Sequence, residues 1–155
     1  MKILIVYDSF FGNTQKIAKS IASSFESGSD VKLKKVDEIS PEEISGIDLL
    51  IVGSPTRKFR PSKLIMDFLK SIHSELLRGV KVTAFDTRIA AEDVNSKFLK
   101  IMVKFFGYAA KPIANKLVKK GGYLIAPPLG FYVTDMEGPL KEGETDRAGN
   151  WIKFI

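Results

Sequence analysis

Five apolar residues in a row, Ile3-Leu4-Ile5-Val6-Tyr7, leave no solvent face on the segment they form. A strand from Lys2 to Tyr7 with that pattern has to be covered on both sides, as the inner strands of a parallel sheet are. The run stops at Asp8, too short for a secretory leader. No other apolar stretch approaches the length of a membrane span. The expectation is a cytoplasmic protein.

Strand and helix patterns alternate through the rest of the chain. Ile17, Ala18, Ile21, Ala22 and Phe25 recur at helical spacing, and Ser27-Gly28-Ser29 ends that helix. Val31, Leu33 and Val36 alternate, which reads as an edge strand. Ser40-Pro41-Glu42-Glu43 opens a short helix with a serine cap, a proline in the first turn and acids at the positive dipole end. A third strand is expected over Asp48–Val52, a helix over Ser62–Leu77 and a fourth strand over Lys81–Phe85. Two helices follow, near 95–106 and 109–120, then a fifth strand over Tyr123–Ala126, continued by Phe131–Thr134. A last helix uses Ala148, Trp151, Ile152 and Ile155. These patterns predict one domain over 1–155, a three-layer doubly wound α/β fold with a five-stranded parallel sheet in the order 2-1-3-4-5. In such sheets the ligand lies beyond the carboxyl ends of the strands, where the order reverses. The loops after Tyr7, Val52 and Phe85 are therefore the candidate site.

The first of these loops is Asp8-Ser9-Phe10-Phe11-Gly12-Asn13-Thr14. Gly12 lets a ligand approach the backbone. Ser9, Asn13 and Thr14 supply hydrogen-bonding side chains, and the helix that starts here offers open N–H groups to an anion. A simple helix cap uses the same residues. The loop lacks the Gly-Lys-Ser/Thr of a Walker loop and the three glycines of a dinucleotide loop. The third strand ends in Gly53-Ser54, where a receiver domain would place an aspartate. The absence of cysteine excludes disulfides, thiolate metal sites and cysteine nucleophiles, and the single histidine, His73, excludes a histidine cluster.

Ser9-x-x-Gly12-Asn13-Thr14 after the first strand resembles the FMN-phosphate loop of flavodoxins. Gly53-Ser54-Pro55-Thr56-Arg57-Lys58-Phe59 resembles the segment beside the flavin ring in that family. Ala84-Phe85-Asp86-Thr87-Arg88, Pro127-Pro128 and Gly138-Pro139-Leu140 resemble a flavodoxin-like subgroup. The resemblance implies FMN as cofactor. It assigns the phosphate to Ser9, Asn13, Thr14 and the Gly12 backbone, within a loop that also carries Phe10 and Phe11. Pro55, Thr56, Arg57, Lys58 and Phe59 would line one side of the ring, and Asp86, Thr87 and Arg88 would approach it from the loop after the fourth strand. Phe10 and Phe11 stand where many flavodoxins carry a hydroxyl, and the Arg57–Pro61 stretch has no glycine.

The function implied is electron transfer through a bound flavin with a redox partner protein. The alternatives are a cofactor-free module that binds an acidic protein or another anion, and a small FMN-dependent NAD(P)H:quinone-type reductase. The chain carries 24 Lys and Arg against 18 Asp and Glu, a net charge of +6, which favours anionic partners. Those cations are scattered and no RNA-binding motif is present, so no specific nucleic acid is expected. Arg57, Lys58, Arg60 and Arg88 fall in the two ring loops, so the reduction potential is expected to lie above that of a flavin in acidic surroundings. Residues 93–108 interleave Phe98, Leu99, Ile101, Met102, Val103, Phe105 and Phe106 with Lys97, Lys100 and Lys104. The expectation is a helix buried between neighbours; the alternatives are a lid, a partner surface or a homodimer contact. Asp8 and Asp86 end inner strands and are expected to hold loops rather than to act as acid and base.

Overall fold

The computed structural model describes residues 1–93, 96–153 and 155, with the backbone alone at Phe105 and Phe106. Strand β1 (Lys2–Tyr7) lies between β2 (Asp30–Lys35) and β3 (Leu49–Pro55), and β3 pairs in turn with β4 (Lys81–Ile89). All of these pairings are parallel. The side chains of β1 divide by the two-residue period of a strand. Leu4 and Val6 enter one core with Ile65, Phe68 and Leu69 of helix α2 (Lys63–Ser71) and Ile113 and Leu117 of α4 (Ala110–Lys119). Ile3, Ile5 and Tyr7 enter the other with Ile17 and Ile21 of α1 (Asn13–Ser23) and Ala148 and Ile152 of α5 (Glu144–Ile152).

The order 2-1-3-4-5 is as expected, but the fifth position is filled by two strands. β5 (Tyr123–Leu124) pairs with the start of β4, and β6 (Leu129–Val133) with its end. Pro127 and Pro128 fall between them and have no N–H to give to the ladder. The expected end of the fourth strand at Phe85 is corrected. β4 continues to Ile89, with Asp86 opposite Ser54 and Gly130, and Thr87 opposite Pro55 and Phe131. Asp86, Thr87 and Arg88 are strand residues, not loop residues.

Three further boundaries move. The segment opened by Ser40 is a single 3-10 turn, Pro41–Ile44, held by reciprocal bonds between Ser40 and Glu43. Helix α2 stops at Ser71 instead of Leu77, after starting from the Ser62 cap. Helix α3 (Lys97–Phe106) starts from Ser96, whose hydroxyl accepts from the Leu99 N–H at 3.4 Å; the predicted start at Asn95 lies outside the described residues, as does Val94.

The expectation that α3 is buried is overturned. Phe98, Leu99 and Ile101 are 67%, 42% and 52% exposed, and none of the described side chains of α3 joins either core. Each large apolar side chain left in water forgoes roughly 1.5–3 kcal/mol of burial. The expectations for Phe105 and Phe106 concern side chains outside the described residues. Among the described residues no helix is long and apolar enough to cross a membrane.

Candidate functional site

The loops after β1 and β3 meet the end of β4 in a cleft of about 70 Å³, lined by Ser9, Phe10, Phe11, Asn13 and Thr14, by Pro55, Thr56 and Arg57, and by Thr87, Arg88 and Ile89. The switch point between β1 and β3 brings these segments together. Asp8 N–H donates to Gly53 O at 3.1 Å, fixing the two loops where their strands diverge.

Gly12 holds the turn into α1 at φ 89°, a conformation that costs a side-chain-bearing residue about 1–2 kcal/mol. The Ser9 hydroxyl accepts from the N–H groups of Gly12 (3.1 Å) and Gln15 (3.4 Å). The first intrahelical bond runs from Lys16 N–H to Gly12 O. The N–H groups of Asn13 and Thr14 therefore have no partner among the described residues, at the positive end of the helix dipole. Nothing lies within 4 Å of where a Cβ at Gly12 would stand, so the turn is open on that side.

Two of the side chains expected to bind phosphate are already engaged. Asn13 Nδ2 donates to Glu137 O at 3.0 Å, and the buried hydroxyls of Thr14 and Thr87 are 2.8 Å apart. One hydroxyl donates to the other, so the second keeps a proton for a third partner. Asp8 is buried; its Oδ1 accepts the Ser9 N–H at 2.9 Å, and its Oδ2 is the one buried side-chain polar atom without a partner among the described residues.

Asp86 does not line the cleft. It is fully buried and binds Arg88 through both carboxylate oxygens, at 2.6 Å each, while Oδ2 also accepts the Ala110 N–H at 2.7 Å at the start of α4. Burial pushes the Asp86 carboxyl above its ordinary range, against the pull of Arg88 and the Ala110 N–H. The Arg88 guanidinium lies 3.9 Å from the centre of the Tyr108 ring. A Cβ at Gly130 would stand 2.0 Å from Arg88 Nε, so a side chain there would displace the guanidinium from this position. Asp86 is thus tied to Arg88 and to the start of α4, Asp8 to the Ser9 amide through one oxygen, and the Arg88 charge is balanced within the protein.

Beyond Pro55 the chain makes a two-residue hairpin. Arg57 and Arg60 exchange backbone bonds of 2.9 Å, and Lys58 and Phe59 at its tip have φ of 47° and 64°. That is the geometry usually given to Asn-Gly, held here by two residues that pay the left-handed strain. Ser54 Oγ accepts the Ser62 N–H at 2.8 Å and closes the turn. Arg57 lies over the rings of Phe10 (5.0 Å) and Phe11 (5.8 Å) at the mouth of the cleft. The Thr56 hydroxyl accepts the Ala109 N–H at 3.1 Å. Lys58 and Phe59 face away from the cleft, into a neighbouring groove.

Sequence reasoning missed Ile89, Val133 and Met136, which also line the cleft. The signal for the last two is Gly138-Pro139, which turns the chain after β6 back so that Glu137 meets Asn13.

Residues 4–117 match the family described as Flavodoxin domain. The chain is 46% identical over 57 residues to a flavodoxin of Aquifex aeolicus, covering 36% of this chain and 31% of that one. It is 30% identical over 115 residues to an NAD(P)H dehydrogenase (quinone) of Methylocella silvestris, covering 59% and 58%. The chain thus spans less than two thirds of the length of these curated relatives. Among solved structures, oxidised Flavodoxin 2 from Bacillus cereus superposes with a TM-score of 0.71 at 26% identity, over 99% of this chain and 97% of that one. With the family match extending from β1 through most of α4, and with the sheet order and cleft as described, the chain belongs to the flavodoxin domain family.

Proposed function

We propose that the cleft holds the phosphate end of FMN and that the chain transfers electrons through the bound flavin. The observation that carries this reading is the pair of open N–H groups on Asn13 and Thr14, facing a cleft where the β1, β3 and β4 ends converge. The residues suit the group. A volume of about 70 Å³ is roughly twice the ~30 Å³ share of a water, enough for a phosphate and too small for three fused rings. Donors serve the phosphate: the Asn13 and Thr14 amides and the spare proton of the Thr14–Thr87 pair. Asp8 Oδ2 is an acceptor without a donor, which a ligand hydroxyl would satisfy. Pro55, Thr56 and Arg57 on one rim and Arg88 and Ile89 on the other are the residues that would hold the ring.

The flavin, when bound, supplies one- and two-electron chemistry; the protein orients it and sets its surroundings. With Arg88 answered by Asp86, and Lys58 and Arg60 lining the neighbouring groove, the expectation of a raised potential rests on Arg57. The relative named as a quinone dehydrogenase supports a second reading, a quinone-type reductase, which NAD(P)H oxidation in the presence of a quinone would reveal.

Titrating the purified protein with FMN tests the proposal. Saturable uptake is expected, with both visible flavin bands shifted from those of free FMN and with riboflavin binding far more weakly because it lacks the phosphate. A protein that stays colourless with micromolar FMN overturns the reading and favours the module that binds another anion or an acidic protein.

A further inference from the structure

We propose that a second site, the groove between the Arg57–Arg60 turn and helices α2, α3 and α4, docks an acidic, amphipathic segment of a partner protein. The groove has a volume of about 740 Å³, ten times that of the cleft and within the range of ~300–1,000 Å³ usual for binding clefts. Its floor is apolar: Phe59, Pro61, Met66, Met102 and Pro112. Two methionines in such a floor can repack around apolar side chains of differing shape. Lys58, Arg60, Lys63 and Lys70 rim it, and Asp67 is the one carboxylate among the lining residues, 2.5 Å from Lys63.

Helix α3 closes one side of the groove through Met102, with the exposed Phe98 one turn before it on the helix surface. Lys97, Lys100 and Lys104 fall along one stripe on the side of the helix turned from Met102, so they lie outside the groove lining. Lys58, Arg60, Lys70, Lys97, Lys100 and Lys104 have no carboxylate within ion-pair distance among the described residues. The lining carries four cations and one carboxylate, a local charge of +3.

An apolar floor under a cationic rim is the complement of a helix with an apolar face and acidic flanks. A nucleic acid would need its cations where this groove has methionine and proline. A bilayer surface would need a convex apolar ridge rather than a concavity. The occupant is therefore acidic protein. The site stands apart from the flavin proposal, since it uses no residue of the phosphate loop.

The test is fluorescence anisotropy with a labelled helical peptide bearing Leu and Phe on one face and Glu and Asp on the other, with and without FMN. The peptide is expected to bind in both cases, more weakly as salt rises. Replacing the rim lysines Lys63 and Lys70 together by Glu is expected to weaken binding at least about tenfold, a loss of ~1.4 kcal/mol. Phe98→Ser is expected to weaken it several-fold, with circular dichroism and FMN uptake unchanged in both variants. No saturable binding overturns the proposal, as does binding that ignores salt and the lysine changes. A preference for anionic lipid vesicles or single-stranded DNA over the peptide, or self-association of the chain through α3, also overturns it. Loss of FMN uptake alone, with peptide binding intact, would count against the flavin reading and leave the groove standing.

Discussion

In the cleft and just behind it, buried charge and polarity are answered from within: Thr14 by Thr87 and Asn13 by Glu137 in its lining, Asp86 by Arg88 and the Ala110 N–H behind it. In the groove, a few residues away along the Arg57–Arg60 turn, cations face solvent above apolar side chains that are only partly covered, Pro61 apart. The first region is finished without a ligand except for its open amides and Asp8 Oδ2. The second leaves three of its four rim cations, Lys58, Arg60 and Lys70, without a carboxylate partner among the described residues. Stability is thus expected to depend on the first and to be indifferent to the second.

The largest expected effect would break that contrast most directly. Asp86→Ala leaves a half-buried guanidinium and a buried N–H without their acceptor, and should cost about 3–5 kcal/mol in urea unfolding. Lys97, Lys100 and Lys104 changed together to Gln should stay within about 0.5 kcal/mol of the parent. Comparable losses from the two variants would mean that α3 is part of the framework after all.

A medium effect extends the contrast to the far side of the sheet. Glu144 is buried and accepts from Arg147 at 2.7 and 2.9 Å and from the Tyr132 N–H at 2.6 Å. Burial works to raise its carboxyl, but Arg147 and Tyr132 outweigh it and hold the group below its ordinary value. A lowered folded pKa gives stability that is present above the ordinary carboxylate range and lost as pH falls through the folded value. Glu144→Gln should therefore cost about 1.5–3 kcal/mol at neutral pH, and the gap from the parent should narrow on acidification. A gap that is the same at pH 7 and pH 3 would show that charge plays no part.

The smallest effect is a gain. Lys58→Asn with Phe59→Gly gives the hairpin the residues its geometry favours and should add about 1–2 kcal/mol, read from thermal unfolding. The same variant removes one cation and one apolar side chain from the groove, so peptide binding should fall as stability rises. A double variant that is less stable would place Phe59 among the supports of the turn.

Much of this was legible in the residues. The run Ile3–Tyr7 could only be an inner strand, and Gly12 with Asn13 and Thr14 marked the helix start that faces the cleft. The end of β4 was not legible, because Asp86-Thr87-Arg88 is a polar run of the kind that usually leaves a sheet. Its polarity is cancelled two residues apart along the strand and by the amide of a distant helix, which no local pattern reveals. Helix α3 misled for the opposite reason: apolar density predicts burial only if the chain itself supplies the cover. The roles of Val133 and Met136 depend on a turn that returns the chain after β6, and spacing alone does not show where such a turn lands.

The broken fifth strand has a consequence for how copies of this protein meet. One margin of the sheet is interrupted by Pro127 and Pro128, and the stretch after β6 is bridged at Val133 by Leu140. The other margin, β2, carries Lys32, Lys34 and Lys35. Neither margin offers a long, flat, unguarded backbone ladder to a neighbouring strand. Edge-to-edge sheet growth is thus disfavoured at both ends, by prolines at one margin and by lysines at the other.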